Sequence, residues 1–186
     1  MIVSPSSSLI RGRLAQLAAH LVVALIALVV VGGATRVMEA GLACPDWPLC
    51  YGSLLPGRQM NLQVFLEWFH RVDAFVVGIA LLVQFAAALI WRSQLPRWLP
   101  VVSGVMVILV VLQGGLGALT VLQLLPSEVV TAHLTVGLTL VAVMSGLTQC
   151  LFSTSRVSAP LWWKLMGGAS LLFVMLQCLL GGRMAT

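Results

Sequence analysis

The sequence predicts an all-α, polytopic membrane bundle of five transmembrane helices, and three observations predict it. Only 8% of the residues are charged and 60% are apolar, with a mean hydropathy of +1.08, whereas a water-soluble domain carries roughly 25% charged residues. Stretches free of Lys, Arg, Asp and Glu run over 14–35, 74–91, 98–127, 129–155 and 165–182, and each reaches the about 18 residues that a membrane-crossing helix needs. The charges are also segregated. Arg11, Arg13, Arg92, Arg97, Arg156 and Lys164 lie before helix 1, between helices 2 and 3, and between helices 4 and 5. The five acids, Glu39, Asp46, Glu67, Asp73 and Glu128, lie towards the opposite side with Arg36, Arg58, Arg71 and Arg183. The positive-inside bias then puts the N-terminus in the cytoplasm and the end of helix 5 outside. The net charge of +5 encodes orientation and implies no nucleic-acid partner.

Helix 1 is expected over about 14–37. Its apolar run exceeds the about 7–15 residues of a signal-peptide core, and Arg36, Val37, Met38 and Glu39 follow where a small-residue cleavage site should stand. It reads as a retained helix. The outer segment 38–64 holds Cys44, Pro45, Asp46, Trp47, Pro48, Cys50, Pro56 and Gly57. Helix 2 is expected over about 65–91, closing on the interfacial pair Trp91-Arg92. Helix 3 follows over about 98–122, with Pro100 in its first turn, where a missing N–H does no harm. Ser127 is a plausible N-cap for helix 4 over about 128–152. Helix 5 starts near Leu161, after Pro160. Helices 1, 3 and 5 approach the outside through Gly32-Gly33, Gly114-Gly115 and Gly181-Gly182; such pairs let helix backbones, or a flat ligand, come close. The recurrence suggests a two-helix unit used twice over 1–152, with helix 5, 161–186, opening a third, so that the odd helix count and the stop at Thr186 read as truncation.

Two histidines carry the functional argument. An ionisable side chain inside a span costs free energy unless it faces a partner. His70 and His133 each sit about five residues into helices that run inward from the outer surface, roughly 8 Å deep at about 1.5 Å per residue. Equal depth on two parallel helices is what axial ligation of one haem requires; the bland alternative is a histidine bonded to a neighbouring carbonyl. His20, near the cytoplasmic start of helix 1, reads as a packing or interfacial residue. Glu67 lies one turn before His70 on the same face. Three readings stand for it: orienting the imidazole, acting on a bound substrate as a proton donor or charge stabiliser, or an interfacial acid in water. Arg36 and Arg71, at the outer ends of helices 1 and 2, are candidates for holding haem propionates, or else snorkel to the interface.

Cys44 and Cys50 lie in a segment that the topology places in an oxidising space, where a structural disulfide is the favoured reading and a redox-active pair the alternative. Cys150 and Cys178 read as small apolar filler in helices 4 and 5.

The sequence resembles the haem A synthase family over nearly its whole length from Leu14. The resemblance is carried by Gly32-Gly33-Ala34-Thr35-Arg36, by the loop from Gly41 to Gly52 with Cys44-Pro45-Asp46-Trp47-Pro48-Leu49-Cys50, and by Glu67-Trp68-Phe69-His70-Arg71, an Glu-x-x-His-Arg signature. The run Gln113-Gly114-Gly115-Leu116-Gly117-Ala118-Leu119-Thr120-Val121 and then His133 complete it. The resemblance implies a bacterial plasma-membrane oxidoreductase that oxidises a methyl group of haem O to the formyl group of haem A. It implies eight helices in two four-helix halves, with a haem b cofactor in one and substrate haem O in the other. On it, His70 and His133 form the N-terminal ligand pair, Glu67 is the functional acid, and Cys44 and Cys50 are the loop cysteines. Partners would be the farnesyltransferase that makes haem O, and an electron donor. Two alternatives from other classes are a bis-histidine b-type electron-transfer cytochrome and a non-redox membrane assembly factor.

Overall fold

The computed structural model describes residues 5–152 and 160–184. Arg156 and Thr186, singled out above, lie outside them. Five helices follow in order: α1 (Pro5–Val37), α2 (Leu62–Ile90), α3 (Trp98–Leu122), α4 (Ser127–Phe152) and α5 (Leu161–Met184). A short 3₁₀ turn, Gly57–Gln59, interrupts the loop before α2. All five helices are long and apolar enough to cross a membrane. The four apolar runs that carry sequence context on both sides end within a few residues of where the periodicity places them. The chief departure is α1, which begins at Pro5 instead of near Leu14. Its extension brings Arg11 to the far end of α4, where Nε donates to the Leu151 carbonyl at 2.9 Å and a terminal nitrogen donates to that of Cys150 at 3.1 Å. A guanidinium on the last carbonyls of a helix satisfies acceptors that have no intrahelical partner and complements the helix dipole. Arg11 therefore ties two helix ends together as well as marking topology.

Two other ends also differ. α2 starts at Leu62 because the Asn61 side chain accepts the Val64 N–H at 2.9 Å, a side-chain N-cap. Ser127 is the first residue inside α4, not its N-cap, and the Pro126 carbonyl accepts the Val130 N–H. The link between α3 and α4 turns through Leu124 and Leu125, both at positive φ (58° and 63°). The Leu125 N–H reaches back to the Thr120 carbonyl at 2.8 Å, so Leu124 stands where such helix ends usually carry glycine.

α1 packs against α2 and α4, and α3 packs against α2 and α4, which closes a four-helix ring; α5 packs against α4. The seam of α1 is lined by Ala15 and Ala18, each at most 1% exposed, with Leu21 and Leu25. Small side chains there let helix backbones approach, the means by which helices associate in lipid. Leu81 and Ala88 of α2, Leu99 and Met106 of α3, and Leu140 and Met144 of α4 complete the core. The outward faces are just as apolar, with Phe75, Ile108 and Val111 about two-thirds exposed.

Candidate functional site

The site lies where α1 to α4 meet the bridged loop 38–61. His70 stands eight residues into α2 and His133 six into α4; the unequal offsets arise because Asn61 starts α2 early. The rings nevertheless meet. Their centroids are 6.5 Å apart, with planes inclined at 72°. Each ring also abuts a glycine of a neighbouring helix. A Cβ on Gly32 of α1 would lie 3.2 Å from His70 Cε1, and one on Gly117 of α3 would lie 3.3 Å from His133 Cε1. The helix ends therefore carry glycine where any side chain would displace an imidazole. Of the pair Gly32-Gly33, Gly32 makes the close approach expected, whereas Gly33, Gly114 and Gly115 meet nothing within 4 Å. Gly117, two residues beyond Gly115, is the close contact to His133.

One nitrogen of each ring, His70 Nδ1 and His133 Nδ1, is buried with no hydrogen-bond partner. Burying an imidazole nitrogen unpaired is costly, so each ring keeps a nitrogen able to bind a further group. His133 has one further neighbour that sequence reading missed. Gln113 of α3 directs Nε2 at the His133 carbonyl (2.9 Å) and lies 3.4 Å from the ring's Nε2. Gly137 makes room for it, since a Cβ there would lie 3.1 Å from the same amide nitrogen. A glutamine inside an apolar span is the signal that would have found it.

Glu67 is neither in water nor bonded to His70. It is 5% exposed, and its carboxylate accepts the Cys44 N–H at 2.7 Å and pairs with Arg71 one turn later. Arg71 in turn donates to the carbonyls of Asp46, Leu49 and Cys44. Both residues thus fasten the outer loop to α2, and the Arg71 guanidinium is engaged by protein. The Arg36 side chain, at the end of α1, has no hydrogen-bond or ion-pair partner among the described residues. The loop itself is bridged: Cys44 and Cys50 form a disulfide, buried against Val64 with Met60 and Trp68 packed beside it. Asp46 folds the loop on itself, its carboxylate accepting the N–H groups of Tyr51 (2.6 Å) and Gly52 (2.8 Å). These amides, Gly52 foremost, hold its carboxyl below the ordinary range.

Two further residues sit elsewhere than expected. His20 lies in the middle of α1, because the helix starts at Pro5. Asp73, read above as lying towards the outer side, stands eleven residues into α2. His20 and Asp73 line one groove between the two helices.

The fold and these residues define a class: a multi-pass helical membrane protein with a paired-histidine site closed by a disulfide-bridged outer loop. Residues 15–186 match the family described as cytochrome oxidase assembly protein, and the chain belongs to that family. It is 33% identical to a heme A synthase of Shewanella oneidensis over 62% of this chain and 39% of the relative. It is 30% identical to a heme A synthase of Bradyrhizobium diazoefficiens over 88% of this chain and 55% of the relative. A protoheme IX farnesyltransferase of Halobacterium salinarum is 32% identical over 59% of this chain and 24% of its own length. The chain thus spans about half the length, or less, of these curated relatives. No solved structure matches.

Proposed function

We propose that the chain acts in the oxidation of haem O to haem A, holding one haem between His70 and His133. The observation that carries this reading is the 6.5 Å separation of the two ring centres. Two metal–nitrogen bonds of about 2 Å, with about 1.1 Å from each ring centre to its nitrogen, separate two axial imidazoles by about 6.2 Å. No group of three or more His, Cys, Asp or Glu able to hold a metal ion exists among the described residues. Two imidazoles alone do not complete a metal's coordination, which favours an iron whose remaining positions a macrocycle already fills. The unpaired nitrogens and the glycines against each ring fit the same group.

A bound haem would supply the redox-active iron and, as substrate, the methyl carbon that becomes a formyl group. The protein's part is to hold and enclose it. His70 and His133 orient it from two helices, and Gln113 fixes the His133 ring from behind through its own carbonyl. Arg36, whose side chain has no partner among the described residues, is suited to a propionate by a two-pronged hydrogen bond. Glu67 and Arg71 act at one remove, keeping the bridged loop across the outer end of the bundle. In this reading Glu67 is a positioning residue, because both of its oxygens already accept hydrogen bonds. The basic residues on one side and the disulfide on the other favour a bacterial plasma membrane with segment 38–64 on the non-cytoplasmic side. The similarity to a farnesyltransferase favours a haem O-producing enzyme as the partner.

Purification of the chain with its spectrum and extracted pigment tests the reading. Haem O or haem A bound with low-spin bands is the expected result. Haem b alone would favour an electron-transfer cytochrome, and absence of haem would overturn the assignment.

A further inference from the structure

His20 and Asp73 have no part in the site above, yet both stand inside membrane spans, and both line a groove of about 150 Å³ between α1 and α2. Its other walls are apolar, among them Leu17, Leu21, Val76 and Ala80. Val76 is 55% exposed, so the groove opens on the lipid-facing side. The His20 Nδ1 lies 2.7 Å from the Gln16 carbonyl. A carbonyl only accepts, so Nδ1 carries the hydrogen, and in the neutral ring Nε2 then keeps its lone pair. Asp73 has no hydrogen-bond or ion-pair partner among the described residues. The groove therefore offers two acceptors, an imidazole nitrogen and a carboxylate, on an apolar wall at membrane depth. Such groups are costly in lipid unless something pairs with them.

We infer that this groove binds the ring of a lipid-soluble hydroquinone. The occupant has to arrive through the bilayer, donate two hydrogen bonds and be apolar otherwise. It also has to fit a volume of about five water molecules. A hydroquinone has two opposed O–H donors on one ring, and its tail lies in the hydrocarbon. Asp73 follows His70 by three residues, about 4.5 Å of helix rise, so the near edge of the groove lies one helical turn from the paired-histidine site. Oxidation of the hydroquinone to the quinone releases two electrons and two protons. One hydroquinone therefore reduces two ferric haem irons to ferrous, one electron to each and one iron in each of two chains visited in turn, and the protons pass to Asp73 and His20. The electron-accepting step rests on the haem reading proposed above; the binding does not.

The test uses the whole chain in lipid nanodiscs. A photoreactive azidoquinone, reduced to its hydroquinone before irradiation, is cross-linked and mapped by mass spectrometry, with decylubiquinol as competitor. Labelling is expected on 17–24 and 73–80, displaced by the competitor. Asp73→Leu and His20→Phe should each weaken competition about tenfold, the worth of one hydrogen bond. Asp73→Asn keeps an acceptor of the same shape but takes up no proton. It should bind within about threefold of wild type, while haem reduction by decylubiquinol in stopped flow slows at least tenfold with an unchanged low-spin spectrum. Labelling spread evenly over lipid-facing residues, labelling unaltered in both binding variants, or cross-linking of a second chain at the groove would overturn the proposal. Specific labelling on a chain that takes up no haem would sustain the groove and refute the haem reading alone.

Discussion

Replacement of Gly117 by alanine isolates the geometry on which the histidine pair depends. The new Cβ would stand 3.3 Å from His133 Cε1, inside the about 3.5–4.0 Å at which carbon atoms rest in contact. The imidazole then has to retreat by a few tenths of an ångström. Binding constellations tolerate displacements of about 0.5 Å, so the methyl group uses most of that margin. Overpacking of this kind costs about 1–3 kcal/mol, which corresponds to a haem dissociation constant raised about 5- to 150-fold. Helix propensity acts in the opposite sense, since alanine is better than glycine by about 0.8–1.0 kcal/mol in a helix interior. The variant should therefore bind haem more weakly without being less stable. Gly32→Ala, with its Cβ 3.2 Å from His70 Cε1, should behave alike. Gly78→Ala and Gly146→Ala, where a Cβ meets nothing within 4 Å, serve as controls that keep affinity. Haem titration followed by the low-spin absorbance, with thermal unfolding of each variant in detergent, measures both quantities. Unchanged affinity in Gly117→Ala, or equal losses in the two controls, would refute the argument.

Four other outcomes are expected. His70→Ala or His133→Ala should abolish the low-spin spectrum while His20→Ala leaves it intact, and equal loss in all three would count against the pair. Glu67→Leu should destabilise the outer end by about 3–5 kcal/mol, because the Arg71 charge loses its buried partner, and Glu67→Gln by less, because the amide oxygen still accepts the Cys44 N–H; thiol trapping and protease sensitivity of 38–64 read the difference. Leu124→Gly should raise the melting temperature, since it relieves about 1–2 kcal/mol of left-handed strain and Leu124 is 75% exposed. Asp46 has its carboxyl held low in the folded chain, so its contribution is full above the unfolded value near 3.9 and fades as pH falls through the lower folded value; proteolysis of the loop should rise below about pH 4 in wild type, and Asp46→Asn should remove that transition.

The helices were legible because lipid thickness sets a minimum apolar length, and α3, expected over 98–122, spans Trp98–Leu122. Ends governed by polar detail were less so. The Asn61 cap and the docking of Arg11 on α4 moved two helix starts, and neither leaves a mark on hydropathy. His70 and His133 stood out because an imidazole inside a span demands a reason, and the structure brings the two rings together.

What each titratable group faces could not be read. In water, an apolar stripe shows which side of a helix turns inward. Here the outward side is apolar too, as Phe75 and Ile108 attest, so the sequence does not encode the rotation of each helix about its axis. That rotation decided that Gly117, and not Gly114 or Gly115, meets His133, and that Gln113 supports the same residue. It also turned Glu67 and Arg71 to the loop carbonyls and amide, and brought His20 and Asp73 to one groove. The sequence by itself determined how many times the chain can cross, because apolar length alone sets that count. The tertiary structure alone decided which side chains meet, because only the mutual packing of four helices fixes the direction in which each one points.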